Sequence, residues 1–215
     1  MATLEGNPMT RLLHISASPR SQASESLALA DAYVAAVADR PNVDVEHWDL
    51  WDGSLPGFGP DATAAKMAVF GGAEPMGAAA AAWERAIAAF RRLDAADAYL
   101  LSVPMWNGSI PYVLKQLIDV VSQPGMLFGF DAESGYSGLL TGKKAVLVLT
   151  SAVYGEARPA AFGVDFQRPY LEWWLDWAGI EDVTTVEFRP NLVTDQSDLL
   201  RAAALDQVRE AALKL

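Results

Sequence analysis

The sequence predicts an α/β fold: a parallel sheet with helices on both faces. Two observations and one rule of chain geometry predict it. Short apolar runs alternate with longer stretches of helical periodicity, in the order βαβαβαβαβα. One run, AVLVLT at 145–150, is continuously apolar, as expected of a strand buried on both faces. Crossovers between parallel strands are right-handed, so the helices fall on both sides and a three-layer sandwich follows.

The elements follow in order. Residues 11–16 (RLLHIS) read as the first strand. Residues 26–39 carry Leu27, Ala30, Val34 and Val37 at helical spacing, and Pro41-Asn42 ends that helix. The run 43–49 alternates Val43, Val45, His47 and Asp49 with Asp44, Glu46 and Trp48, which suits an edge strand. Residues 51–60 are rich in Gly and Pro and read as a loop. The alanine-rich stretch 77–93 reads as a helix, since alanine favours helix and packs closely. The third strand is 98–103 and the next helix 111–121; residues 123–142 read as irregular and glycine-rich. After the strand at 145–150 come a tryptophan-rich helix at 169–178, a strand at 183–188 and a last helix at 199–213 capped by Ser197. Trp173 and Trp177 are four apart and share a helix face, expected in core or interface. His14, inside a strand, is expected to be packed and hydrogen-bonded; His47, on the edge strand, is expected to be exposed.

The 215 residues suit one domain, at about 100–200 residues per domain, with 1–10 read as a flexible N-terminal extension. A net charge of −11 disfavours nucleic acid and anionic membranes as partners. The absence of cysteine excludes disulfides, thiol catalysis and zinc–thiolate sites. With two histidines far apart in sequence, a metal site would need mostly carboxylates, and none is expected. MATLEGNPMT lacks the basic and apolar regions of a signal peptide, and no stretch has the length of a membrane span, so a cytoplasmic location is expected.

In an open parallel sheet ligands bind beyond the C-terminal strand ends. Three loops leave such ends here, after Ser16, Val103 and Thr150. The first, SASPRSQASES at 16–26, places five serine hydroxyls and Arg20 just before a helix N-terminus, a combination suited to phosphate; an ordinary N-cap would need only one of those serines. GLLTGK at 138–143 misses the P-loop, because its spacing is short and it precedes a strand. GFGP at 57–60 misses the dinucleotide fingerprint, because no strand precedes it, and no G-x-S-x-G elbow exists. What remains is a mononucleotide held by serines. The second loop, PMWNGSIP at 104–111, puts Met105 and Trp106 where solvent-facing polar residues are usual. They suit a planar heterocycle, with Asn107-Gly108 turning backbone N–H groups outward; a plug against a neighbouring loop or subunit is the other reading.

Four segments carry a family resemblance: SPRSQASESLALADAY, PMWNGSIPYVLKQLIDVV, GLLTGKKAVLVLTS and DFQRPYLEWWLDWAGI. They resemble the FMN-dependent NADH-azoreductases, which belong to the flavodoxin-like NAD(P)H:quinone oxidoreductases. The likeness runs from about residue 11 to 188 and is weaker at 51–76 and in the last helix. It implies a flavodoxin-like five-stranded parallel sheet of order 2-1-3-4-5, a homodimer, and non-covalent FMN at the dimer interface. By resemblance, Ser18, Ser24, Glu25 (through its backbone) and Ser26 hold the FMN phosphate. Met105, Trp106, Asn107 and Gly108 line the isoalloxazine, with Trp106 standing where the family has Tyr. After the fourth strand the family reads Ser-Arg-Gly-Gly, whereas this chain reads Ser151-Ala152-Val153-Tyr154, without the glycine pair. Either Ala152 and Val153 make the family's flavin contacts with more bulk, or two residues are deleted and Tyr154 matches a later family Tyr.

The implied activity is oxidation of NADH or NADPH and reduction of quinones or azo compounds, by ping-pong hydride transfer through flavin N5. No catalytic side chain is required, because the cofactor carries the chemistry. Phe128, Phe130, Tyr136, Tyr154 and Phe162 are candidates for an aromatic wall above the ring. The alternative is an FMN-binding electron carrier or redox-sensing module with no diffusible substrate.

Overall fold

The computed structural model describes residues 9–215. The main sheet contains β1 (Thr10–Ser16), β2 (Val43–Asp49), β3 (Ala98–Pro104), β6 (Lys144–Thr150) and β7 (Asp182–Phe188), all parallel. Side chains alternate across it, as period-two geometry requires. Leu13, Ile15, Tyr99, Leu101, Leu147 and Leu149 face α3 (Gly77–Asp94), α4 (Tyr112–Val121) and α5 (Arg168–Ala178). Leu12, Leu100, Val146, Val148, Val186 and Phe188 face α1 (Glu25–Val37) and α6 (Ser197–Leu213). The two cores are those of the expected three-layer sandwich.

The strand order is β2-β1-β3-β6-β7, not the expected 2-1-3-4-5. The path is of the same kind, but two further strands lie between β3 and β6 in the chain. They are β4 (Phe128–Asp131) and β5 (Gly135–Gly138), an antiparallel hairpin within the segment read as irregular. The Asp131 carboxylate shapes its turn by accepting the N–H groups of Glu133 and Ser134 at 3.0 and 2.9 Å. Phe128 packs its ring on Trp177, with centroids 4.8 Å apart. Gly138 lies directly against Ala178 and Gly179, where a Cβ would overlap backbone. Gly138 thus marks close approach to α5, whereas Gly125, Gly135 and Gly142 have positive φ, at 72°, 83° and 77°.

A helix absent from the sequence reading, α2 (Pro60–Phe70), packs against α3 through Ala62 and Ala65. Pro60 starts it, where a missing N–H costs nothing. Ser197 does not cap α6: it is the first helical residue, and its hydroxyl donates to Asn191 O at 2.9 Å. Of the expected flexible extension 1–10, residues 1–8 lie outside the described residues, whereas Thr10 already belongs to β1.

His14 is buried in β1, as expected. Its Nε2 lies 3.0 Å from Ser102 Oγ and its Nδ1 3.0 Å from Nδ1 of the exposed His47. Burial, and secondarily the His47 ring, lower its pKa to about 4. In the unfolded chain the imidazole takes up a proton near pH 6.5, and in the folded chain only near pH 4. The unfolded state therefore binds more protons across that window, and stability falls as pH drops through it. The expected loss is up to about 3 kcal/mol between pH 6.5 and 4, full stability being retained above that range. Urea midpoints measured against pH check this: His14→Gln is expected to flatten the decline in that window, and an equal decline in the variant contradicts the assignment.

Candidate functional site

The C-terminal edge of the sheet gathers the loops, and hydrogen bonds carry the strands one residue past their ends. Ala17 N–H donates to Ser102 O at 3.0 Å, and Met105 N–H donates to Thr150 O at 2.7 Å. The exits of β1, β3 and β6 are thereby fixed side by side.

The first loop runs from Ala17 through a single 3-10 turn, Ser21–Ala23, into α1. Ser24 is the N-cap of α1, its Oγ accepting the Leu27 N–H at 3.2 Å. Its hydroxyl also lies 3.2 Å from Ser26 Oγ. Ser18, Ser24 and Ser26 are all buried, at 5, 4 and 0 % exposure, whereas Arg20 is exposed. The cap reading therefore holds for Ser24, but Ser18 and Ser26 are two further buried hydroxyls that capping does not require. The Glu25 carboxylate is drawn away to Arg201 of α6, 3.0 Å from its Nε. The first N–H groups of α1 retain the anion-attracting character of a helix start.

In the second loop Trp106 and Ser109 exchange both backbone hydrogen bonds, at 2.8 and 2.9 Å. The two residues between them have positive φ, 51° at Asn107 and 81° at Gly108. That is the two-residue turn Asn-Gly favours, and its reciprocal bonds leave the Asn107 and Gly108 N–H groups outside the turn's own ladder. Trp106 is half-buried in an aromatic trio, 5.8 Å from the Trp51 ring and 6.2 Å from that of Tyr112. Trp51 Nε1–H donates to Ala17 O at 3.0 Å, so one indole braces both loops. Beside the trio is a groove of about 460 Å³ lined by Trp106, Asn107, Tyr112, Lys115 and Tyr170 among others. The indole at 106 is thus both a packed plug and one wall of an open groove. Gly108 is further constrained by a neighbour: it accepts the Phe166 N–H at 2.8 Å, and a Cβ on it would sit 3.0 Å from Val164 O.

The third loop is tied elsewhere. Ser151 O accepts from Asn191 N–H at 2.8 Å, and Ala152 O from Leu192 N–H at 3.1 Å. Ser151 is buried, with its hydroxyl donating to Tyr154 O at 2.5 Å, while Ala152 and Val153 are exposed. The Tyr154 ring lies 5.6 Å from the Arg189 guanidinium and lines a separate polar groove over β7. The structure therefore brings Met105–Gly108 and the serine loop together at adjacent strand exits, and directs Tyr154 toward the far side. The aromatic candidates also separate. Phe128, Phe130 and Tyr136 cluster with Trp177 on the hairpin–α5 face, and Phe162 stacks under Arg158 at 4.5 Å. Trp173 and Trp177 do share a face, their rings stacked 5.7 Å apart.

Trp51 packs on Trp106, and Tyr112 and Tyr170 line the groove beside it; reading the sequence singled out none of the three for this candidate site. A signal existed for Trp51: it lies two residues beyond the end of β2, on the same sheet edge as the other loops.

Residues 10–212 match the family model described as a flavodoxin-like fold. A Ruegeria pomeroyi protein named FMN-dependent NADH:quinone oxidoreductase is 50% identical over 188 residues, 87% of this chain and 92% of its own length. The chain belongs to the family of FMN-dependent NADH:quinone oxidoreductases. A relative of the same name from Nitratidesulfovibrio vulgaris is 40% identical over 213 residues, covering 96% of this chain and all of that one (100%). Among solved structures, an azoreductase from Bacillus anthracis superposes with a TM-score of 0.87 at 26% identity, covering 96% of this chain and 100% of the other. The family expected from the four motifs is therefore the family found.

Gly108→Ala tests the turn. A left-handed alanine costs about 1–2 kcal/mol, and its methyl must also displace Val164. The expected outcome is a lower unfolding midpoint with altered fluorescence from the neighbouring Trp106; a variant identical to the parent in both would show that the turn tolerates a side chain.

Proposed function

We propose that this chain is an FMN-dependent NAD(P)H oxidoreductase that reduces quinones, azo compounds or both. The observation that carries the proposal is the pairing of a buried, serine-lined helix start with an Asn-Gly turn and an indole wall at the next strand exit. When bound, FMN supplies the two-electron chemistry that couples oxidation of NADH to reduction of the acceptor.

The residues present fit that group. Ser18, Ser24 and Ser26, with the N–H groups of Glu25 and Ser26, would hold the phosphate, since hydroxyls and helix N–H groups both donate to anion oxygens. The link from Glu25 to Arg201 keeps a carboxylate away from that anion. Met105, Trp106, Asn107 and Gly108 would line the ring, with outward N–H groups where negative charge develops on reduction. Ser151, Ala152 and Val153 would form the third rim, whereas Tyr154, expected there by resemblance, turns to the separate groove over β7 and is not part of it. Donor and acceptor would use the groove beside Trp106 in turn, which gives ping-pong kinetics.

The reading extends to a single domain, acting as a homodimer in the cytoplasm. Tyr112 and Phe130 are 65 and 59 % exposed, aromatic surface of the kind a second copy covers. No helix among the described residues is long and apolar enough to cross a membrane. The net charge of −11 argues against nucleic acid as a partner.

The experiment is titration of flavin-free protein with FMN, then anaerobic NADH, then menadione. The expected sequence is uptake of yellow colour, bleaching, and recovery of colour with multiple turnovers. A protein that takes up no FMN overturns the proposal; bleaching without quinone turnover favours the electron carrier instead. Ser24→Asp sharpens the test, because Asp caps a helix as well as Ser but sets a like charge against the phosphate. FMN affinity is expected to fall on the order of 100-fold with the unfolding midpoint held. Unchanged affinity would place the phosphate elsewhere.

A further inference from the structure

Arg189 follows β7, the edge strand farthest from β2, yet its side chain is only 3% exposed. Its Nη1 donates to Asp165 Oδ2 at 2.5 Å and lies 3.1 Å from Glu187 Oε1; its Nη2 donates to Gln167 Oε1 at 2.6 Å. Its buried Nε has no partner among the described residues, so the guanidinium is held by its terminal nitrogens alone. A planar fork of this kind fixes two acceptors at once, which a point charge cannot do.

Both acceptors belong to the segment that leads from the third loop into α5. Asp165 Oδ1 accepts the N–H groups of Gln167 and Arg168 at 2.7 and 3.0 Å, closing the start of α5. Gln167 is fully buried and passes its Nε2–H to Val103 O at 3.0 Å, two residues before Met105. Between these two anchors stands Phe166, whose N–H donates to Gly108 O, and Val164 O lies where a Cβ on Gly108 would meet it at 3.0 Å. One buried cation therefore fastens, through two side chains, the segment that presses on the Asn107-Gly108 turn. Neither capping of α5 nor pairing of β7 requires a charge at 189, and burying one is costly unless each partner is satisfied.

We propose that Arg189 is a positioning residue that clamps residues 163–167 over the Asn107-Gly108 turn and so sets the ring end of the cofactor site. The inference rests on the FMN reading only for its effect on flavin; the clamp itself is present without it. Loss of the fork leaves the half-buried Asp165 and the buried Gln167 without their donor, and the segment opens locally. The turn then loses its cover, while the serine loop, at the exit of a different strand, keeps its shape.

The test uses the full chain with Arg189→Met, and Asp165→Asn as a milder variant should Arg189→Met not fold. A third variant, Val208→Ala, loses core volume on the α1–α6 face and serves as a control for general destabilisation. In flavin-free protein, hydrogen exchange at 106–109 and 163–167 is expected to quicken at least about tenfold in Arg189→Met, with α1 unchanged. FMN and riboflavin affinities are expected to fall by the same factor, because the ring end is disturbed and the phosphate end is not. Exchange that quickens equally everywhere, as in the Val208→Ala control, overturns the proposal. So does a loss confined to FMN. Should the parent protein bind no flavin at all, the FMN reading fails and the exchange pattern still decides the role of Arg189.

Discussion

The site depends on two backbone hydrogen bonds that extend the sheet past its strands, Ala17 N–H to Ser102 O and Met105 N–H to Thr150 O. A parallel sheet ends all its strands at one edge, and the groups beyond the last ladder pair must find partners or face water. Here they find each other. The pairing holds the serine loop, the Met105–Gly108 corner and the start of the third loop at three successive strand ends. Everything proposed about ligand binding follows from that adjacency, because neither a serine-rich helix start nor an Asn-Gly turn is by itself a site.

Two different kinds of chemistry are then separated in space. The α1 end is hydroxyl and N–H, with three buried serines and the Glu25 carboxylate diverted to Arg201. The β3 exit is aromatic, with backbone N–H groups turned outward by two positive φ values. Trp51 joins the two, packing on Trp106 while bonding Ala17 O. A molecule with an anionic group at one end and a flat apolar system at the other matches that division. Arg189 acts at a third point, holding down the segment that covers the turn.

Much of this was legible in the sequence, where periodicity alone determines the outcome. AVLVLT reads as a strand buried on both faces and is one, and the five main strands are where their apolar runs place them. His14 was legible as a packed residue for the same reason. What was not legible depends on packing between distant segments. Helix α2 buries only Ala62 and Ala65, so its apolar face is too narrow to stand out. The hairpin β4–β5 reads as loop because its strands are only four residues long and glycine-rich, and one of those glycines, Gly138, answers to a close approach by α5. Ser197 resembles a cap in sequence, but Asn191 O claims its hydroxyl. In the site, the serines and the Asn-Gly turn were visible as motifs. Trp51 and the Arg189 fork were not, since their partners are 34 and more than 20 residues away.

The central claim is that the buried serines at the start of α1 grip a phosphate while the Met–Trp–Asn–Gly corner takes the ring. The most direct measurement compares dissociation constants of FMN and riboflavin for the unmodified, flavin-free protein. The two share a ring system and differ by the phosphate. The account predicts FMN to bind tighter on the order of 100-fold, with the advantage shrinking as salt is added. Equal affinities would contradict it.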